Sequence, residues 1–276
     1  MKKLLCVLFA LLLLCACSSA PEKEEEAAPA ENNVITVACT AEPHATILEE
    51  AAPLLAEKGY ELKIEIWDDY YIFNSALDNG DIDANYFQHI PFFNNEVSEK
   101  GYDIANAGGV HIEPFGFYSK RYTSVDEVQD GDTVVISNSV SDHGRILAIL
   151  DDAGLITLKD GVDAMSATLE DIADNPKNLV FQEVKPELLT NSFEYDEGAL
   201  VAINGNYAIA YGLNPTKDAV ILESAGQDNP YVNIVACRTA DLGSEKINVL
   251  VEVLQSDAIR QFISDKYSDG SVIPAE

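Results

Sequence analysis

Basic residues are scarce in this chain. Its 276 residues include 17 Lys and Arg against 47 Asp and Glu, which gives a formal net charge of −30 at pH 7. Nucleic-acid binding depends on Lys and Arg side chains that neutralise phosphates, and an anionic bilayer surface repels a protein of this charge. The sequence therefore predicts no nucleic-acid partner, and its acidity is typical of a protein kept soluble outside the cell.

Motifs for catalysis and metal binding are also missing. The histidines His44, His89, His111 and His143 lie far apart, and no His-x-x-x-His or Cys-x-x-Cys pair occurs. The chain has neither a Gly-x-Ser-x-Gly elbow nor a P-loop. These absences predict a protein that is not an enzyme and that carries no metal and no cofactor. Residues distant in the sequence can still assemble in space, so the prediction leaves an enzyme open.

One apolar run, at the N-terminus, is typical of an export signal. Leu4–Leu14 follows the positive pair Lys2-Lys3 and is too short to span a bilayer comfortably. It ends in Leu14-Cys15-Ala16-Cys17, which resembles a bacterial lipobox, where the last Cys is lipidated and becomes the first residue. We expect residues 1–16 to be a lipoprotein signal peptide and Cys17 to be lipidated. The alternative is a plain signal peptide with a chance Cys.

The next segment is predicted to be a tether. Residues 18–33 have no bulky apolar side chain and include five Glu, so they cannot bury enough surface to offset their chain entropy. We interpret residues 17–33 as the lipidated Cys and a flexible acidic tether, with a reach of roughly 20–25 Å. A domain held at that distance can meet a partner embedded in the membrane.

Two cysteines remain in the predicted folded part. Cys39 and Cys237 each end an apolar run, 34–38 and 231–236. They could form a disulfide if the two runs were neighbouring strands, or they could be two buried thiols, and the sequence does not decide between these.

Strand and helix patterns alternate along residues 34–276 and predict an α/β protein. Two α/β sets are separated by two extended crossings, near Phe115 and near Tyr231, which indicates two lobes with a ligand cleft between them. We expect lobe 1 at 34–115 plus 232–276 and lobe 2 at 116–231. The predicted strands are 35–39, 62–67, 84–87, 133–137, 179–183, 199–203 and 231–236, and the predicted helices are 45–58, 73–77, 92–100, 142–153, 168–174, 187–191, 244–254 and 257–267.

Aromatic residues are concentrated in residues 67–93, which contain the only Trp of the chain. Polar side chains such as Asp68, Asn74 and Gln88 lie among them. Apolar walls with a few fixed polar groups are typical of a small-molecule site. Ordinary core with an exposed acidic loop is an equal alternative.

Polar residues at predicted strand ends offer partners for a charged ligand. Arg145 lies in the first turn of a predicted helix, where its charge is unfavourable for the helix dipole, so another charge should answer it. That charge could be a ligand carboxylate held in a bidentate pair, or an acid of the chain such as Asp142. Asn204 and Asn233 could belong to turns or could orient an ammonium and a carboxylate.

Taken together, these segments resemble the methionine-binding lipoprotein family, the substrate-binding component of methionine ABC importers. The resemblance covers nearly all of residues 34–276 and rests on ordered blocks of sequence: Asp81–His89, Tyr118-Ser119-Lys120, Gly144-Arg145, Gly154–Lys159, Asn175–Leu179, Ala202–Ala208 and Pro230–Asn233.

The resemblance implies a two-lobed periplasmic-binding-protein fold that closes over a free amino acid, with a membrane permease and its ATPase as partners. It also implies that Tyr70, Phe87 and His89 wall the side-chain pocket. By the same resemblance, the head-group residues are Arg145 for the carboxylate, with Asn204 and Asn233. A thioether packs well against aromatic rings, which agrees with methionine as the ligand.

One loop departs from the family pattern. Asn-Asp-Pro-x-Asn is usual before the Arg, and here residues 138–142 read Asn-Ser-Val-Ser-Asp. The acidic Asp142 could repel a carboxylate or bind an ammonium, so L-methionine, D-methionine, a methionine-containing dipeptide or another amino acid remain open. Two further alternatives are a metal-binding lipoprotein that uses His89, His111 and carboxylates, and a surface lipoprotein whose cleft has lost transport function.

Overall fold

A computed structural model describes residues 33–224 and 229–275. The predicted signal peptide, the lipidated Cys17 and nearly all of the predicted tether lie outside these ranges. The strands are β1 Val34–Cys39, β2 Glu61–Ile66, β3 Ala84–His89, β4 Ile104–Ile112, β5 Gly116–Tyr118, β6 Thr133–Ser137, β7 Thr157–Leu158, β8 Ile172–Asp174, β9 Val180–Val184, β10 Leu200–Ile203, β11 Ile221–Leu222, β12 Val232–Arg238 and β13 Ile273–Pro274. The α-helices are α1 Thr46–Glu57, α2 Tyr70–Asn79, α3 Ile90–Lys100, α4 Val140–Asp152, α5 Leu189–Glu194, α6 Gly205–Tyr211, α7 Pro215–Asp218, α8 Glu245–Leu254 and α9 Asp257–Lys266.

The first sheet has six strands in the order β13-β4-β12-β3-β1-β2. β1 pairs in parallel with β2 and β3, as short helical crossovers require, while β12 runs antiparallel between β3 and β4. This sheet therefore combines βαβ units from the N-terminal part of the folded chain with β12, which comes from its C-terminal part.

The second sheet has five strands in the order β11-β5-β10-β6-β9. β6 pairs in parallel with β9 and β10, and β5 runs antiparallel to β10 and β11. The chain passes from one sheet to the other between residues 112 and 116 and again between 222 and 232. Two α/β lobes joined by two crossings confirm the predicted fold class.

Each lobe has its own hydrophobic core. In the first, α1 buries Ile47, Leu48, Ala51 and Leu55, a spacing that places them on one face of the helix against the sheet. Complete burial of one such aliphatic side chain stabilises the fold by about 2 kcal/mol. In the second lobe, α4 packs against β6 and β10 in the same way. The two rigid cores leave the polar strand ends between them.

Two secondary-structure expectations are wrong. Residues 168–174 are not a helix, because a capping box between Thr168 and Asp171 closes a single 3-10 turn, after which β8 pairs with β7. In addition, α4 begins at Val140 rather than at 142, which places Arg145 in its second turn.

The two cysteines are separate buried thiols. Cys39 pairs with Tyr86 across β1 and β3, and Cys237 pairs with Ala84 across β12 and β3. Because β3 lies between them and their partners on it are two residues apart, the two cysteines are about 12 Å apart, beyond the reach of a disulfide.

Candidate functional site

A cavity lies where the strand ends of both lobes meet. Its lining combines aromatic walls with a few convergent polar groups, which is typical of small-molecule sites. All six residues expected at the ligand line it: Tyr70, Phe87, His89, Arg145, Asn204 and Asn233. The other lining residues are Gln88, Phe92, Glu113, Asp142, Gly205 and Asn206. The contact of these residues with a ligand stays a prediction.

One side of the cavity is aromatic. The rings of Tyr70, Phe87 and Phe92 lie 5.6–5.8 Å apart, and Phe73 stacks behind Phe87 with 4.0 Å between ring centres. The Tyr70 hydroxyl donates to Asn206 Oδ1 at 2.5 Å, so this wall is tied to the opposite lobe. The arrangement provides an apolar pocket of fixed shape.

His89 and Asp142 form a buried pair across the cleft. His89 Nδ1 accepts a hydrogen bond from the backbone N–H of Phe92, so its proton lies on Nε2, which donates to Asp142 Oδ1 at 3.1 Å. Burial opposes ionisation of Asp142, but His89, the Asn204 amide and Arg145 together lower its pKa below the usual value. Asp142 therefore places a negative charge in the wall of the cavity.

The acidic partner of Arg145 is Glu223 rather than Asp142, the example that the sequence offered beside a ligand carboxylate. Arg145 donates from Nε and Nη2 to the two oxygens of Glu223, at 2.7 and 2.5 Å, and its guanidinium lies 4.2 Å from the ring centre of Tyr231. Nη2 also donates to the carbonyl of Glu113. Among the described residues Nη1 has no hydrogen bond.

Asn204 has an unused acceptor. Its Nδ2 donates to Asp142 at 3.3 Å, while its buried Oδ1 has no hydrogen-bond partner within the described part of the chain. A buried polar atom without a partner costs about 1–3 kcal/mol, so a ligand donor here would be stabilised.

Glu113 is a lining residue that the sequence analysis missed. It lies opposite Gly205, where an added Cβ would come within 2.6 Å of Glu113 Cβ and Oε2. Burial raises the pKa of Glu113, and the nearby His44 and Arg145 oppose that rise. Its position as a lone acid in an otherwise apolar segment, just before Pro114, was the available signal. Glu223 had no comparable local signal.

Behind the cavity, two imidazoles hold lining residues. His44 Nε2 lies 3.1 Å from Asn233 Oδ1, and His111 Nε2 lies 2.8 Å from Glu113 Oε1. Burial lowers the pKa of His44 to about 4 and of His111 to about 3, so both are neutral at pH 7. His44, His111 and Glu113 bring three potential metal ligands within 4.8 Å of one another. A cation bound there would have to displace protons already engaged in these hydrogen bonds.

No helix of the described residues has the length and apolar character that crossing a membrane would require.

Comparison with known proteins gives consistent matches over the folded part. Residues 35–276 match the family described as NlpA lipoprotein. The chain is 50% identical to the methionine-binding lipoprotein MetQ of Bacillus subtilis over 275 residues, 99% of each chain. It is 37% identical to the D-methionine-binding lipoprotein MetQ of Salmonella typhi over 225 residues, 81% of this chain and 82% of that protein.

A solved structure extends the comparison to the fold. A nutrient binding protein from Burkholderia cenocepacia bound to methionine superposes with a TM-score of 0.82 at 35% identity, and the match covers 88% of this chain and 100% of that one.

Proposed function

The chain belongs to the NlpA lipoprotein family, and on this basis we propose that it is the substrate-binding lipoprotein of an ABC importer that captures methionine and releases it unchanged. The observation that carries the proposal is the composition of the cavity. An aromatic wall faces a set of charged and amide groups, which suits a molecule with an apolar thioether side chain and a zwitterionic head group.

The head group needs a partner for each charge, because a zwitterion that leaves water loses strong hydration. We propose that Arg145 Nη1 and the Asn233 amide bind the carboxylate. The ammonium would lie against Asn204 Oδ1 and the Asp142 carboxylate. Each of these groups lines the cavity, and Asn204 Oδ1 is the acceptor that lacks a partner within the described residues.

We also propose the division of the chain into lobe 1 at 34–115 plus 232–276 and lobe 2 at 116–231. The sheet membership of the strands supports it, since β1–β4, β12 and β13 form one sheet and β5, β6 and β9–β11 form the other. Closure of the lobes around the ligand would present one surface to a permease, with an ATPase as the further partner.

The proposed location is the outer face of the cell membrane, through a lipid on Cys17. Stable anchoring takes more than one acyl chain, which lipidation of an N-terminal Cys can supply. Cys17→Ala should therefore move the protein from the membrane fraction to the soluble fraction. Unchanged fractionation of the variant would contradict the anchor.

The ligand can be identified without assuming its nature. The protein is purified, denatured, and the released small molecules are analysed by mass spectrometry. We expect methionine at close to one molecule per chain, and chiral chromatography of the same sample assigns the stereoisomer. Reproducible release of a different compound in its place would overturn the substrate.

A further inference from the structure

Two parallel chains of hydrogen bonds lie directly behind the cavity. In the first, Thr40 Oγ1 lies 2.8 Å from His44 Nδ1, and His44 Nε2 lies 3.1 Å from Asn233 Oδ1. In the second, the Tyr86 hydroxyl contacts His111 Nδ1, and His111 Nε2 lies 2.8 Å from Glu113 Oε1. Each chain begins at a hydroxyl, passes through an imidazole and ends at a residue that lines the cavity.

The acceptors fix the direction of both chains. Two oxygens face His44 Nε2, Asn233 Oδ1 at 3.1 Å and Glu113 Oε1 at 3.6 Å, and the backbone of Glu42 offers a further acceptor to this imidazole. We assign the proton to Nε2, because that nitrogen has two acceptors and one of them is a carboxylate. The Glu113 carboxylate fixes the proton of His111 on Nε2 for the same reason. In each ring Nδ1 is then an acceptor, and it receives the hydroxyl proton of Thr40 or Tyr86.

The direction of the hydrogen bonds determines which atoms of Asn233 and Glu113 are available to a ligand in the cavity. Because Asn233 Oδ1 is engaged by His44, the Asn233 amide has its Nδ2 donors left for a ligand. A rotated amide would instead present an oxygen and repel a carboxylate. The second chain holds one oxygen of Glu113, and the other oxygen lies over Gly205, where any Cβ would collide with it.

We propose that His44 and His111 are positioning residues, each oriented by a hydroxyl, that hold the Asn233 amide and the Glu113 carboxylate in the arrangement a ligand head group requires. This inference rests on the proposed function, since it assigns a purpose to the layer behind the same cavity. The two imidazole rings, 4.9 Å apart and edge to face, also brace one another, so both chains act on one rigid wall.

Two nearly isosteric variants test the proposal. Thr40→Val and Tyr86→Phe each remove one hydroxyl, and neither residue lines the cavity. The control is Tyr118→Phe, which removes a fully buried hydroxyl that has no hydrogen-bond partner within the described residues. In titration calorimetry with methionine, each test variant should bind about 3- to 10-fold more weakly, the loss expected for one hydrogen bond. Tyr118→Phe should match the parent.

A double-mutant cycle separates positioning from a general loss of stability. In an Asn233→Ala background, Thr40→Val should have little further effect, because the amide that it orients is gone. Tyr86→Phe should likewise lose its effect in a Glu113→Ala background. The proposal would be overturned if a hydroxyl variant weakened binding as much in its alanine background as in the parent. It would also be overturned if the variant had no effect in the parent.

Nitrogen NMR of the ligand-free protein gives a readout that does not depend on methionine binding. The chemical shifts should show the Nε2–H tautomer for both His44 and His111. The Nδ1–H tautomer in the parent would overturn the positioning role even if methionine binds. Conversely, a parent with both Nε2–H tautomers that fails to bind methionine would refute the proposed function and leave the hydrogen-bond chains supported.

Discussion

At the scale of single residues, the cavity is built from charges that already have partners. Arg145 is held by Glu223, and Asp142 is held by His89. Such pairing keeps the side chains in fixed positions, so a ligand meets a prepared set of donors and acceptors rather than mobile charges. It also means that removal of one partner leaves the other buried and uncompensated.

The aromatic wall provides a test of side-chain recognition. Phe87→Leu should weaken methionine binding by about 1–2 kcal/mol and should change the ranking of amino acids, because Phe87 lines the apolar end of the cavity. The matched control is Phe73→Leu, since Phe73 stacks directly behind Phe87 and does not line the cavity. Calorimetry with methionine, norleucine and alanine measures the ranking. An identical ranking in Phe87→Leu and the parent would contradict the assignment.

The buried imidazoles predict an acid-sensitive fold. Burial lowers the pKa of His44 to about 4 and of His111 to about 3, whereas in the unfolded chain each pKa is about 6.5. Below about pH 6.5 the unfolded state therefore binds more protons than the folded state, so the free energy of unfolding decreases as the pH is lowered. Each imidazole contributes a slope of about 1.4 kcal/mol per pH unit.

Urea denaturation at pH 7, 6 and 5 measures this slope. His44→Gln removes one titrating group, so it should reduce the loss of stability between pH 6 and pH 5 by about 1 kcal/mol, even if the variant is less stable at pH 7. An unchanged slope would show that His44 is already protonated in the folded protein.

At the scale of secondary-structure elements, the start of α6 lies in close contact with the segment that carries Glu113. Gly205 follows Asn204 and lies against Glu113, at a distance that no side chain fits. Gly205→Ala should displace Asn204 and Glu113 and should weaken ligand binding at least 10-fold. Gly198→Ala is a suitable control, because its Cβ would crowd Val135, 2.7 Å away, without contact with the cavity. Equal affinities for the two variants would contradict the role of α6.

Elements with regular periodicity were predictable from the sequence, and irregular ones were not. The apolar spacing of Ile47, Leu48, Ala51 and Leu55 predicted α1 to within one residue at each end. β4 was not predicted as a strand, because Ala105–Gly109 contains only small and polar residues without alternation, and its place in the sheet depends on pairing with β12. Tertiary pairing of this kind has no local signal.

The candidate site was only partly predictable for the same reason. Family resemblance and strand-end position indicated six of the twelve residues that line the cavity. Glu223 and His44 were missed as parts of the site, because each acts through a partner 78 or 189 positions away in the sequence. The sequence could show that Arg145 needed an opposite charge, but not which of 47 acids supplies it.

At the scale of the whole molecule, contacts between the lobes enclose the cavity. The Tyr70 hydroxyl donates to Asn206, the Tyr207 hydroxyl donates to the carbonyl of Asp68, and His89 donates to Asp142. All three hydrogen bonds cross the cleft, and two of them involve lining residues. A ligand that bridges the same two walls would therefore stabilise this arrangement of the lobes.

Titration calorimetry on protein stripped of bound ligand tests the central claim most directly. The protein is unfolded, dialysed and refolded, and it is then titrated with L-methionine, D-methionine and a methionine-containing dipeptide. We predict one-to-one binding of at least one methionine stereoisomer, with the ligand recovered unchanged by mass spectrometry. The absence of binding heat for all three ligands, with native circular dichroism, would contradict methionine capture, and chemical conversion of any of them would contradict a purely binding role.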